Sequence, residues 1–208
     1  MIRQCLVVAT FVVALSAVRA DDTADFLKPE NWEGLPKLWT VEGSTITGKA
    51  DPGLTFNTFL CSKEKYKNYE MSFKVKLTGA TANSGVQVRS AIVDKEKFVV
   101  GGPQCDMGQQ YWGSLYGEKF GKDGKLPGDG HMMKACPSDF VKKHVKDKEF
   151  NDYKLTVKGK NVTILVNGET SVDGEFSILP DDGIIALQMH AGKPMEVVFK
   201  DVTFIKLK

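Results

Sequence analysis

Net charge is what this chain has least of: its 208 residues carry 28 Lys and Arg against 26 Asp and Glu. Nucleic acids and anionic membranes call for a concentrated basic surface, so neither is expected as a partner. Histidine and cysteine are scarce, with three and four copies. There is no Gly-x-Ser-x-Gly, no His-Glu-x-x-His, no paired-histidine metal spacing and no Gly-rich phosphate loop after a strand, so the familiar catalytic motifs are missing.

Long apolar runs are missing too. Leu6 to Leu15 is far shorter than the ~20 residues that span a bilayer. With Arg3 ahead of it and Val18-Arg19-Ala20 behind, Met1 to Ala20 reads as a cleaved secretory signal. The expectation is an exported protein, periplasmic or extracellular, with no membrane anchor in the mature chain. Removing Arg3 and Arg19 leaves 26 basic against 26 acidic side chains. Three cysteines also remain, Cys61, Cys105 and Cys136, at spacings that do not suit zinc. An odd number permits at most one intrachain disulfide. Cys105 with Cys136 is the preferred pair, and three buried free thiols are the alternative.

What is present is a series of short strands. Trp39 to Thr47, Leu54 to Cys61, Tyr69 to Thr78, Gly85 to Ala91, Phe98 to Asp106 and Trp112 to Tyr116 read as strands. Turn signals such as Asp51-Pro52-Gly53 and Gly101-Gly102-Pro103 separate them. Lys119 to Cys136 lacks alternation and reads as a long loop, a cover of some kind. A short helix is expected from Phe140, capped by Ser138 or Asp139. Strands resume at Asp152 to Lys158, Val162 to Val166 before the hairpin signal Asn167-Gly168, Gly183 to His190, and Met195 to Leu207. Without βαβ alternation, internal repeat or linker, residues 21–208 predict one all-β domain, a two-sheet sandwich or jelly roll.

The block Gly101 to Glu118 is richer in amide, acidic and aromatic side chains than packing requires. At period two, Gln104 and Asp106 share a face opposite Cys105 and Met107, and Tyr116 and Glu118 oppose Leu115. The same split places Gln87 and Arg89 opposite Val86 and Val88, and Gln188 and His190 opposite Leu187 and Met189. One polar sheet face assembled across several strands is therefore the candidate site, and its chemistry suits a sugar.

The motifs Asn83-Ser84-Gly85-Val86-Gln87-Val88-Arg89-Ser90, Phe150-Asn151-Asp152-Tyr153 and Val166-Asn167-Gly168 point further. With the Gly101 block, Gly183-Ile184-Ile185-Ala186-Leu187-Gln188-Met189-His190-Ala191-Gly192, Pro194-Met195-Glu196-Val197 and Phe199-Lys200-Asp201, they resemble the 3-keto-disaccharide hydrolase family over nearly the whole mature chain. The resemblance implies a concanavalin A-like, laminin G-like β-sandwich of an exported bacterial protein. It also implies cleavage of glycosides already oxidised to a ketone at C3, by elimination and then hydration.

The roles of individual residues rest on the shared face. His190 is the candidate base, since an imidazole titrates near working pH. Arg89 is the candidate enolate stabiliser, and Asp106 or Glu118 orients His190 or protonates the departing oxygen. Gln87, Gln104, Gln188, Tyr116 and Trp112 are candidates for holding the sugar. Two other readings stay open: a two-carboxylate glycosidase using Asp106 and Glu118, and a non-catalytic carbohydrate-binding module of the same fold. No cofactor is predicted. A metal on Asp106, Glu118 and His190, or a structural calcium, stays open, as does a homodimer through exposed strand edges.

Overall fold

The computed structural model describes residues 22–208, so the signal expected at Met1 to Ala20 lies outside them. Two seven-stranded antiparallel sheets form a sandwich, as the spacing of strands and turns predicts. The first sheet runs, in spatial order, β1 (Trp32–Glu33), β4 (Thr58–Tyr66), β13 (Gly183–Met189), β6 (Ser84–Asp94), β7 (Val99–Met107), β8 (Leu115–Glu118) and β9 (His131–Lys134). The second runs β12 (Glu169–Glu175), β11 (Asn161–Val166), β10 (Asn151–Lys158), β5 (Tyr69–Thr78), β14 (Met195–Lys206), β3 (Thr45–Ala50) and β2 (Trp39–Glu42). Helices are short: α1 over 22–26 and α2 over Phe140–His144. Among the described residues no helix is long and apolar enough to cross a membrane.

Alternation builds the core. Met71, Phe73 and Val75 on β5 and Tyr153, Leu155 and Val157 on β10 meet Val86 and Val88 on β6, Cys105 and Met107 on β7, and Ile185, Leu187 and Met189 on β13. Lys74, Lys76 and Lys154 lie between them on the solvated side of the second sheet. The β11–β12 hairpin turns at Asn167 and Gly168, whose φ of 53° and 87° is the left-handed pair that such a two-residue turn requires.

Two expectations about local structure change. The long loop contains a strand: β9 pairs with β8 and extends the sheet by one edge. Among the described residues Cys61, Cys105 and Cys136 are all free. Cys105 alternates into the core from β7 with its thiol fully buried, and the Cys136 thiol donates to the Gln110 carbonyl instead.

A third change concerns Arg89. Pairing passes from Gln87↔Gln104 to Ala91↔Gly101 on one side of β6, and from Gln87↔Ala186 to Ser90↔Ile184 on the other. Strand β6 thus carries one residue more than both neighbours, a bulge at Arg89, whose φ is 46°. Alternation slips by one there. Ser90 joins Gln87 on the outer face, and Arg89 turns to the opposite side.

At 2% exposure, the Arg89 guanidinium donates from Nε to the Lys67 carbonyl (2.6 Å), and from its terminal nitrogens to Gly159 (2.6 Å), Pro180 (2.9 Å) and Asn68 Oδ1 (3.2 Å). It clips the β10–β11 turn of the second sheet to the segment that enters β13, so the enolate-stabilising place expected for it is not where it sits. Arg89→Ala should lower unfolding free energy by about 3 kcal/mol, because three backbone carbonyls and the Asn68 amide oxygen lose a buried charged donor. Urea denaturation of the variant against the parent checks this.

Candidate functional site

The site grows out of the antiparallel register at the middle of the first sheet. Gly85 pairs with Asp106, and Leu187 pairs with Val86, so the next step on that ladder brings Gln188 beside Gly85. Gln188, Gly85 and Asp106 therefore form one row across β13, β6 and β7 on the outer face. A Cβ at Gly85 would lie 2.6 Å from Gln104 Cγ, so the missing side chain is what lets Gln104 lie across the row. The adjacent row is Gln87, Gln104, Tyr116 and Met132 over β6 to β9.

These side chains are joined by a directed chain of hydrogen bonds. Ser90 Oγ donates to Gln87 Oε1 (2.6 Å), and Gln87 Nε2 donates to Gln104 Oε1 (3.1 Å). Gln104 Nε2 then donates to Asp106 Oδ1 (2.8 Å) and Gln188 Oε1 (3.2 Å). Each amide accepts on one side and donates on the other, so their orientations follow from one another. The chain ends at Gln188 with its oxygen used and its nitrogen unused. Trp39 Nε1, Tyr69 Oη and Gln188 Nε2 are the buried polar atoms without a partner among the described residues, and of these residues Gln188 alone lines the pocket described next.

That pocket has a volume of about 250 Å³ and is lined by Gln104, Asp106, Tyr116, Glu118, Gln188 and His190, with Asn83, Tyr111 and Met132. Six of the nine residues read from sequence are thus brought together. Gln87 lies beneath the pocket, fully buried, and acts through Gln104. Trp112 belongs to the main core instead. The chain makes a 3-10 turn at Gln109–Tyr111 before β8 begins, so period two does not apply there. Tyr111, 38% exposed, borders the pocket beside Tyr116 in place of Trp112. Asn83, just ahead of β6, gave no signal beyond its place in a motif, and Met132 was hidden in a stretch read as loop.

Burial sets the electrostatics. Asp106, 7% exposed, has its pKa pushed up to about 7 by desolvation, which outweighs the Gln104 hydrogen bond and is helped by the nearby Glu118 charge. Glu118 is also raised by burial, against the opposing effects of Asn57, Lys119 and His190. His190 follows β13 directly, and its Nδ1 lies 2.6 Å from the Ala191 carbonyl. A carbonyl can only accept, so Nδ1 carries the proton and Nε2 is the basic nitrogen of the neutral ring. The main chain, not Asp106 or Glu118, therefore orients His190. Asn57, which the sequence reading passed over, accepts from the Ala191 N–H (2.9 Å) and donates to Glu118 Oε1 (3.4 Å). One amide thus ties the carboxylate to the turn that holds the imidazole. Among the described residues no three or more His, Cys, Asp or Glu side chains converge as metal ligands.

A family model described as "3-keto-alpha-glucoside-1,2-lyase-like domain" matches residues 22–205. The chain belongs to that family. No curated protein matches the sequence. Among solved structures, a putative glycosyl hydrolase from Parabacteroides distasonis superposes with a TM-score of 0.59 at 19% identity, covering 86% of this chain and 94% of its own. A second from the same organism gives 0.60 at 20%, over 86% and 90%. The carbohydrate-binding module CBM66 from Bacillus subtilis gives 0.61 at 13%, over 85% and 96%. At these identities the likeness is one of fold, and the fold serves proteins of both descriptions.

Within this member of the 3-keto-glucoside lyase-like family, the protonation of Asp106 has a thermodynamic signature. The folded protein holds that proton up to about pH 7, whereas an ordinary aspartate releases it near 3.8. Between those values the native state binds more protons than the unfolded chain, so stability falls as pH rises and levels off above the upper one. Glu118, raised as well, adds a slope of the same sign. Urea unfolding across this range should show Asp106→Asn flattening a slope on the order of 1 kcal/mol per pH unit, and gaining stability relative to the parent at alkaline pH.

Proposed function

We propose that this chain is an exported, carbohydrate-active enzyme that cleaves 3-keto-glycosides by elimination and hydration. Family membership supports the reaction class. The observation that carries the reading is the convergence, in one pocket, of a histidine with its basic nitrogen set, two carboxyls with raised pKa values and the unpartnered amide donor of Gln188.

A ketone at C3 acidifies the hydrogen on C2. His190 Nε2 takes that proton, and the electron pair moves into an enolate whose oxygen accepts a hydrogen bond from Gln188 Nε2, the role that sequence reasoning gave to Arg89. As the enolate collapses, the C1=C2 double bond forms and the bond from C1 to the departing oxygen breaks. That oxygen takes a proton from Asp106, whose pKa burial pushes up to about 7, or from Glu118, which burial also raises. Water then adds across C1=C2, oxygen to C1 and hydrogen to C2, giving the free 3-keto sugar. Tyr116, Tyr111 and Asn83 border the ring and supply contacts to its faces and hydroxyls.

Incubating the protein with a 3-keto-glucoside and its unoxidised parent, and following aglycone release, tests this. Release is expected from the keto compound alone, with His190→Ala and Asp106→Ala each slower by about 10²- to 10⁴-fold. Release from the parent as well would favour the two-carboxylate glycosidase. Binding without release would make the chain a carbohydrate-binding module, and release indifferent to both substitutions would move the site.

A further inference from the structure

A second hollow of about 560 Å³ adjoins the first, and Glu118 lines both. Phe56, Val93, Val99, Pro127 and Ala191 form much of its wall. Its amide and carboxylate groups are largely engaged, and its two lysines, Lys97 and Lys119, are exposed. Asn57 spends its side chain on Glu118 and the Ala191 N–H, and Asp94 Oδ1 accepts from the backbone N–H groups of Glu96 and Lys97. The ammonium of Lys97 stands 5.6 Å from the centroid of the Phe56 ring, on an exposed side chain at the rim. The pocket with Asp106 and Gln188 is lined mainly by hydrogen-bonding groups, whereas this hollow presents a half-buried aromatic ring and aliphatic carbon.

The first pocket, at 250 Å³, is below the roughly 300–1,000 Å³ of a typical small-molecule site and has room for about one sugar ring. A glycoside seated there must send the group attached at C1 somewhere, and Glu118 marks a junction leading to the second hollow. Resting on the reading of the first pocket as the sugar site, we propose that the second hollow receives the group carried at C1 and selects an apolar or aromatic one over a second sugar. Sugar hydroxyls placed against Phe56, Val93 and Val99 would leave water without gaining partners. A flat apolar group loses nothing there, and gains the Phe56 face.

Binding separates this proposal from the chemistry. Benzyl glucoside, methyl glucoside and a glucosyl disaccharide of the same anomeric linkage, all unoxidised so that elimination has no ketone to drive it, are titrated into the full chain by calorimetry. Benzyl glucoside is expected to bind about 10-fold more tightly than methyl glucoside and the disaccharide. Phe56→Ala should erase the difference while leaving methyl glucoside unchanged, and Phe56→Leu should keep most of it. Equal binding of benzyl and methyl compounds, a preference for the disaccharide, or a benzyl preference that survives Phe56→Ala overturns the proposal. If methyl glucoside still binds in those cases, and weakens with Asp106→Asn, the sugar pocket stands and only the second hollow fails. No binding of any glucoside removes both.

Discussion

Everything at this site depends on a buried hydrogen-bond chain that crosses three neighbouring strands. Ser90, Gln87 and Gln104 lie at 2% exposure or less, so each polar atom left without a partner would be costly, and the chain satisfies them in a single consistent direction. That direction has two consequences. It delivers a neutral amide donor to Asp106, too weak to offset the desolvation that burial imposes, and the carboxyl stays protonated to an unusual pH. It also uses up the oxygen of Gln188, which leaves the Gln188 nitrogen as the donor that a ligand can claim.

The sandwich makes such a chain possible on the outer face of a sheet. Strands β13, β6 and β7 are central, and their inner sides are clamped by the second sheet through Val86, Val88, Leu187 and Met189. Further along the same outer face, Phe59, Cys61, Val100, Ile184 and Ala186 form a separate apolar cluster with Ile92 and Phe98. One strand, β6, serves two purposes in succession. Before its bulge it supplies Gly85 and Gln87 to the floor of the pocket. After it, Arg89 crosses to the far side and pins the β10–β11 turn. The pocket's floor and the attachment of the two sheets are therefore consecutive features of one segment.

The walls come from elsewhere and are less regular. Asn83 lies just ahead of β6, Tyr111 in a 3-10 turn, Glu118 at the end of β8, Met132 on the edge strand β9 and His190 just after β13. Asn57 connects two of these parts, since it holds both Glu118 and the turn after His190. Hydrolases and binding modules share this architecture among the similar structures, so the arrangement of these side chains, rather than the sandwich, carries the functional argument.

Sequence alone was enough for the sandwich, because period-two alternation broken by Gly, Pro and Asn turns has few other solutions in an antiparallel chain. It was also enough for the polar sides of β7, β8 and β13, where strands are regular and Gln104, Asp106, Tyr116, Glu118, Gln188 and His190 alternate as read. Arg89 and Trp112 needed the tertiary structure. Alternation holds only while the ladder is unbroken, and neither a one-residue bulge at Arg89 nor a 3-10 turn before β8 has an unambiguous local signature. The same is true of Asn57, whose bonds reach residues 61 and 134 positions away. The free Gln188 nitrogen and the raised Asp106 pKa belong to that class as well. Both follow from burial and from the partners of neighbouring side chains, which a linear pattern does not contain.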